Sequence, residues 1–163
     1  MPVDAETAFQ VQQVTNKYSH GVDHGDFELV ASCFDPEGGY IENVGLPEGS
    51  PNGGRRVGRD NIVKYVAGSF GACRGHCRHW IGLTVLEDLG DGKVRQKGYC
   101  TVYRAGVFPN VGPYLSGEFV DVLQKTATGE YVFLNRQFRV DPGPIGPADD
   151  VLITKFDAAA AKW

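Results

Sequence analysis

All four histidines of the chain lie in two short segments, residues 19–26 and 73–80. The first contains Asp23 and the second contains His79. An imidazole that donates one ring N–H to a carboxylate presents its other nitrogen as a general base, a chemistry that needs neither metal nor cofactor. If the fold brings Asp23 against His79, the two segments form such a base.

The second segment also admits a metal-binding interpretation, through Cys73, His76, Cys77 and His79. Their spacing matches no standard structural zinc signature, and strand alternation places His76 on the face opposite Cys77 and His79. We therefore expect no metal site and no cofactor. Cys77 is expected to form part of a pocket wall rather than to act as a nucleophile.

The segment that carries Asp23 has the apolar spacing of an amphipathic helix. Its stripe consists of Ala8, Val11, Val14, Tyr18 and Val22. This pattern predicts a helix over Ala5–Val22 that stops at Gly25. Asp26 can cap a short second helix, and a similar apolar stripe predicts a third helix over Arg59–Phe70.

From His76 onward the apolar period changes to the alternation of strands. One predicted strand face comprises Cys77, His79, Ile81, Leu83 and Val85. Its return strand is Val94–Val107, followed by a hairpin of Pro113–Thr126 and Glu130–Val140. Earlier, Gly38–Asn43 reads as a short strand and Gly45–Gly58 as a loop. The expected fold is α+β: a curved antiparallel sheet wrapped around a long N-terminal helix, with two further short helices and a conical pocket.

Length and charge limit the possible partners. At 163 residues we expect one domain, with a core over about residues 5–141 and a tail over 142–163. The short apolar segment Val151–Phe156 in that tail is expected to dock or swap. The net charge of −4 argues against a nucleic-acid partner. The short apolar runs argue against a membrane span, and the acidic start against a signal peptide. These features favour a cytoplasmic protein with free thiols.

The element order and two motifs resemble the SnoaL-like branch of the nuclear transport factor 2 superfamily, an α+β cone. The likeness is strongest to the scytalone dehydratase and hexachlorocyclohexane dehydrochlorinase families and covers about Val11–Val140. Val22-Asp23-His24-Gly25-Asp26 matches their aspartate at the end of helix one, and His79-Trp80-Ile81-Gly82 matches their strand-start histidine. The resemblance implies that Asp23 and His79 together remove a proton from carbon while a leaving group departs.

The resemblance also suggests further site residues. Arg136, in the last strand, would bind an anionic or oxyanionic substrate group; the alternative is a structural ion pair with Glu118 or Asp121. Glu118 stands where scytalone dehydratase has a pocket serine. The remaining predicted substrate contacts are Tyr18, Tyr40, Glu42, Cys77 and Tyr99.

Three functions are compatible with these residues. The first is a cofactor-independent lyase that acts on a hydrophobic, aromatic small molecule and eliminates water, halide or a small aldehyde. The same base would serve an isomerase or cyclase of a polyketide or steroid-like substrate. A non-catalytic binding protein or accessory subunit is the third. We also expect a homo-oligomer, a trimer or a dimer, because Trp80 and Leu86 are predicted to alternate outward from the sheet.

Overall fold

The computed structural model describes residues 2–46, 49–107 and 110–141. Its helices are α1 (Ala5–His24), α2 (Phe27–Ser32) and α3 (Arg59–Ala72). Its strands are β1 (Tyr40–Val44), β2 (Gly54–Val57), β3 (Cys77–Gly90), β4 (Lys93–Val107), β5 (Asn110–Lys125) and β6 (Tyr131–Val140). This composition confirms the predicted α+β class. The predicted tail segment Val151–Phe156 lies outside the described residues.

The strands form one sheet in the order β2-β1-β6-β5-β4-β3. Neighbours run antiparallel except for β1, which lies parallel to β6. The four long strands β3–β6 are antiparallel as predicted, and the sheet includes one parallel pair, β1 with β6, that was not predicted. It was wrong to assign all of Gly45–Gly58 to a loop, because Gly54–Val57 pairs with β1. This strand is short and mostly exposed, so it carries no apolar alternation.

Helix α1 packs its apolar stripe against the sheet, and local signals set both of its ends. The Asp4 side chain accepts a hydrogen bond from the Thr7 N–H at 2.8 Å, and Gly25 closes the helix with a left-handed φ of 72°. Four residues of the stripe are buried: Val11, Val14, Tyr18 and Val22. The helix runs to His24 and ends at the predicted stop, Gly25, so Asp23 lies within it.

Strand β3 contains a bulge that the sequence pattern did not reveal. Leu83 has a positive φ of 51°, and the register with β4 shifts between Gly82 and Val85. An extra residue in one strand reverses the alternation beyond it. Leu83 and Val85 are consequently 82% and 69% exposed, so their prediction on the inner face was wrong. Thr84 points inward instead and donates to Gln12 of α1.

The same bulge changes the outer surface of the sheet. Trp80 precedes the bulge and is exposed, as predicted, with its ring edge-on to Tyr103. Leu86 follows the bulge and packs against the core, so its predicted outward orientation was wrong.

The homo-oligomer remains a prediction. In the part of the chain that the structure describes, no helix is both long and apolar enough to cross a membrane.

Two glycines in the sheet test how tightly the strands pack. A Cβ at Gly117 would overlap the Arg139 carbonyl oxygen and the Phe138 ring, whereas a Cβ at Gly82 meets open space. We expect Gly117→Ala to lower the free energy of unfolding by about 1–3 kcal/mol, because a packed strand must shift. The matched variant Gly82→Ala should change it by less than about 0.5 kcal/mol. Urea unfolding measures both, and equal midpoints would contradict this packing.

Candidate active site

Asp23 and His79 are in direct contact. One carboxylate oxygen of Asp23 lies 2.6 Å from Nδ1 of His79, and the other accepts the His79 backbone N–H at 2.9 Å. An ionised carboxylate can only accept, so a neutral His79 ring in this contact carries its proton on Nδ1. The lone pair of Nε2 is then available for a substrate proton. Two hydrogen bonds to one residue fix both the position and the rotation of the ring.

Local structure explains why the end of α1 meets the start of β3. The Phe70 ring packs against Gly25 and Gly75, which both have left-handed φ angles, and a Cβ on either would come within 3.0 Å of that ring. The Arg78 side chain donates to the carbonyl oxygens of Asp23 and Gly75, each at 3.2 Å. Phe70 and Arg78 therefore hold the helix end and the turn before β3 together.

The pair faces a cavity of about 320 Å³ inside the cone. Most of its wall is apolar, formed in part by Val22, Leu46, Phe70, Val102, Leu115 and Phe138. The side chains of Asp23 and His79 are only 8% and 18% exposed. A weakly solvated setting strengthens the electrostatic interaction between a carboxylate and an imidazolium. The arrangement can therefore remove a proton from a small apolar molecule.

Two thiols lie on the same cavity wall, those of Cys73 and Cys77. Burial raises the pKa of Cys77, and a hydrogen bond with the Cys73 thiol raises it further. Cys77 is therefore protonated at neutral pH and a poor nucleophile, in keeping with the predicted pocket wall. His76 is exposed. Within residues 2–46, 49–107 and 110–141, no three His, Cys, Asp or Glu side chains are grouped as metal ligands would be.

Arg136 does not line the cavity, contrary to its predicted contact with substrate. Its side chain is fully buried and forms an ion pair with Asp121 at 3.2 Å. The guanidinium carbon lies 3.8 Å from the centre of the Phe119 ring and 4.3 Å from that of Tyr18. The structural alternative is thus the one observed, with Asp121 rather than Glu118 as partner.

Tyr18 is likewise a core residue and not a cavity residue. It is 4% exposed and packs edge-on against Phe34 and Phe133. The helix does direct it inward, as predicted, but onto the Arg136 guanidinium. Burial raises the pKa of Tyr18 despite that positive charge, so its hydroxyl stays protonated.

The predicted pair Tyr40 and Glu42 lies on the wrong face of β1 for substrate contact. Ile41 is buried and Asn43 lines the cavity, so the residues that alternate with them face outward. Arg55 of β2 stacks on the Tyr40 ring at 4.2 Å and pairs with Glu42 at 3.4 Å. Both side chains therefore contact Arg55 of the neighbouring strand and do not face the cavity.

Tyr99 and Glu118 were also predicted to contact substrate but lie on the face opposite the cavity. They stand opposite each other on β4 and β5, and Tyr99 is 63% exposed. The adjacent positions Cys100 and Phe119 are buried and occupy the inner face. Tyr99 and Glu118 therefore lie on the outer surface of the sheet, away from the cavity.

Comparison with known proteins agrees with this architecture. A family model for the SnoaL-like domain matches residues 4–137. The chain belongs to the SnoaL-like family. No curated protein matches its sequence.

Solved structures share the fold of this SnoaL-like domain. Aln2 from a Streptomyces species has a TM-score of 0.74 at 21% identity, over 95% of this chain and 99% of that one. ActVI-ORFA from Streptomyces coelicolor has a TM-score of 0.72 at 21% identity, over 88% and 100%. A protein from Novosphingobium aromaticivorans, proposed to be a scytalone dehydratase, has a TM-score of 0.66 at 19% identity, over 85% and 89%.

The cavity of this SnoaL-like domain also contains polar residues that were not predicted from the sequence. Asn43 of β1, Asn52 and Tyr65 of α3 line it, and the Asn43 amide donates to the Tyr65 hydroxyl at 2.6 Å. Tyr65 follows the buried Ile62 by three residues, so helical periodicity places both on the same side of α3. That spacing was the available signal for Tyr65, whereas Asn52 lies in a loop and had none.

The buried ion pair of Asp121 and Arg136 predicts that the stability of the fold depends on pH. Burial raises the pKa of Asp121 to about 7, against the opposing effect of Arg136. Since the carboxyl of the unfolded chain titrates near pH 4, the folded state binds the extra proton between these values. The contribution of Asp121 to stability is thus full below about pH 4 and declines as the pH rises towards 7.

Comparison with Asp121→Asn isolates this contribution, because the amide has similar shape and does not titrate. We expect the free energy of unfolding of the wild type, relative to that of the variant, to decrease between about pH 4 and pH 7. Urea unfolding across this range measures both proteins. Parallel curves would show that Asp121 keeps an ordinary pKa in the folded state.

Proposed function

We propose that this SnoaL-like domain is a lyase that acts on a small aromatic molecule, with His79 as general base and Asp23 as the residue that positions it. The observation that carries the proposal is the 2.6 Å contact between these side chains in a largely apolar cavity. The single oriented base accounts for the proton transfer, so the reaction requires no cofactor.

The proposed reaction is an elimination next to a carbonyl group. Nε2 of His79 takes the proton from the adjacent carbon, and the C–H electron pair moves onto the carbonyl oxygen as an enolate. Return of that pair forms the C=C bond and breaks the bond to the leaving hydroxyl. The proton on His79 then converts the departing hydroxide to water, which restores the neutral imidazole. Asp23 stabilises the imidazolium between the two transfers.

The cavity wall supports an aromatic substrate. Phe70 and Phe138 contribute aromatic rings to it, and Val102 and Leu115 add aliphatic surface. A planar molecule of one ring or two fused rings fits the cavity volume of about 320 Å³. A fold shared with a protein proposed to be a scytalone dehydratase is consistent with this class of substrate.

The proposal predicts a loss of turnover on removal of the base. The β-hydroxy derivative of α-tetralone is a suitable probe, because loss of water yields the aromatic α-naphthol, which fluorescence and mass spectrometry detect. We expect His79→Ala to reduce the rate by about 10²–10⁴-fold, and Asp23→Asn to reduce it substantially as well. Circular dichroism checks that each variant remains folded.

The matched control is His76→Ala, which removes an exposed imidazole from the same segment. It should leave the rate unchanged. Wild-type turnover in folded His79→Ala would overturn the assignment of the base, and the absence of turnover by the wild type would overturn the substrate class. A product of unchanged mass would instead identify an isomerase that uses the same base.

A further inference from the structure

A second polar group in the cavity is built around the Tyr65 hydroxyl. The Asn43 side-chain amide donates to this hydroxyl at 2.6 Å and to the Asn52 backbone carbonyl at 2.8 Å. All three residues line the same cavity as His79, but they belong to β1, the loop before β2, and α3. The group thus lies on different elements from Asp23 and His79, which belong to α1 and β3.

The Asn52 carbonyl determines which way these hydrogen bonds run. A carbonyl oxygen can only accept, so the Asn43 atom that faces it must be the NH₂ group and not the amide oxygen. The same NH₂ group also faces the Tyr65 hydroxyl, which therefore accepts through its oxygen. The hydroxyl hydrogen is left to point elsewhere, and no residue in the described part of the chain accepts it. Tyr65 can donate it to a molecule in the cavity.

Arg56 fixes the ring that carries this hydroxyl. Its guanidinium carbon lies 4.2 Å from the centre of the Tyr65 ring. The same guanidinium donates to the carbonyls of Gly54 at 2.7 Å and Pro51 at 2.9 Å. Arg56 therefore ties the ring to the loop that supplies the Asn52 carbonyl. The donor is in place before a ligand binds, as an oxyanion-stabilising group must be.

We propose that the Tyr65 hydroxyl donates a hydrogen bond to the carbonyl oxygen of the substrate, so that the ligand is a planar aromatic ketone with its oxygen towards Tyr65 and its acidic C–H towards His79. This inference rests on the proposed function, which assigns proton removal to His79. When His79 takes the proton, the C–H electron pair becomes negative charge on the carbonyl oxygen. The hydrogen bond from Tyr65 strengthens as that charge develops, which lowers the barrier.

α-Tetralone tests the contact and the base separately, because it has the ketone but no leaving group. The carbonyl stretching frequency of bound α-tetralone, measured by infrared difference spectroscopy, reports the hydrogen bond. Exchange of its α-hydrogens for deuterium in D₂O, measured by NMR, reports the base. The variants are Tyr65→Phe, Asn43→Ala and His79→Ala, with Tyr99→Phe as a control that removes a hydroxyl outside the cavity.

We expect the bound carbonyl frequency to be lowered in the wild type, Tyr99→Phe and His79→Ala, and to return towards its apolar-solvent value in Tyr65→Phe. Asn43→Ala should broaden the band and shift it part of the way, because the hydroxyl keeps its hydrogen but loses its orientation. Deuterium exchange should fall by about 10²-fold in Tyr65→Phe and to background in His79→Ala.

A lowered frequency that persists in Tyr65→Phe, or no lowering in the wild type, would overturn the Tyr65 inference. Exchange that depends on His79 would in that case still support the proposed base. Conversely, a frequency shift that depends on Tyr65, without any exchange above background, would retain the hydrogen bond and overturn the proposed function. Failure of α-tetralone to bind the wild type would overturn the ketone as ligand class.

Discussion

The site depends on one carboxylate that accepts two hydrogen bonds from one residue. Asp23 lies at the C-terminal end of α1, where the helix dipole disfavours negative charge, and it is nearly buried. Such a carboxylate requires compensation, which His79 supplies through its backbone N–H and its ring. The contact thereby joins the first helix to the first long strand. The backbone hydrogen bond fixes the strand relative to the helix, and the ring hydrogen bond favours the tautomer that the proposed base requires.

The interior of the cone contains a second polar group with a different role. Arg136 and Asp121 are fully buried, and aromatic rings surround the guanidinium. Breaking such a pair by removing one partner is costly, whereas its net contribution to stability is small. The pair therefore constrains which strands and rings pack together more than it adds free energy. The pair lies in the core and does not line the cavity that His79 faces.

The sequence predicted those features that repeat along the chain or depend on adjacent residues. The stripe Val11–Val22, the stop at Gly25 and the cap at Asp26 follow from helical period and local hydrogen bonding, and all are present. Two kinds of feature were not predicted: those that depend on one inserted residue, and those that depend on how deeply a side chain lies in the interior. The positive φ of Leu83 reverses the alternation of β3, and no residue pattern marks it. Arg136 faces inward as expected, but alternation cannot tell the core from the cavity.

On the short strand β1, the errors concern which face of the strand points inward. Tyr40 and Glu42 were assigned to the cavity face by resemblance, whereas the buried Ile41 shows that Asn43 shares that face. Ile41 was therefore the informative residue, because alternation needs only one secure inward position to fix the others.

The proposed base and the proposed donor are held by different side-chain contacts, which meet in helix α3. Phe70 packs between the glycines that flank the base, whereas Arg56 ties Tyr65 to the loop around Asn52. A change in that loop can move the donor without moving His79, because β3 and the end of α1 do not contribute to it. In the proposed reaction, contacts at the end of α1 and the start of β3 set the position of the proton transfer, and the loop around Asn52 affects the orientation of the substrate. If the proposed roles are correct, changes in this loop would alter the position of the bound carbonyl while the contact between Asp23 and His79 is retained.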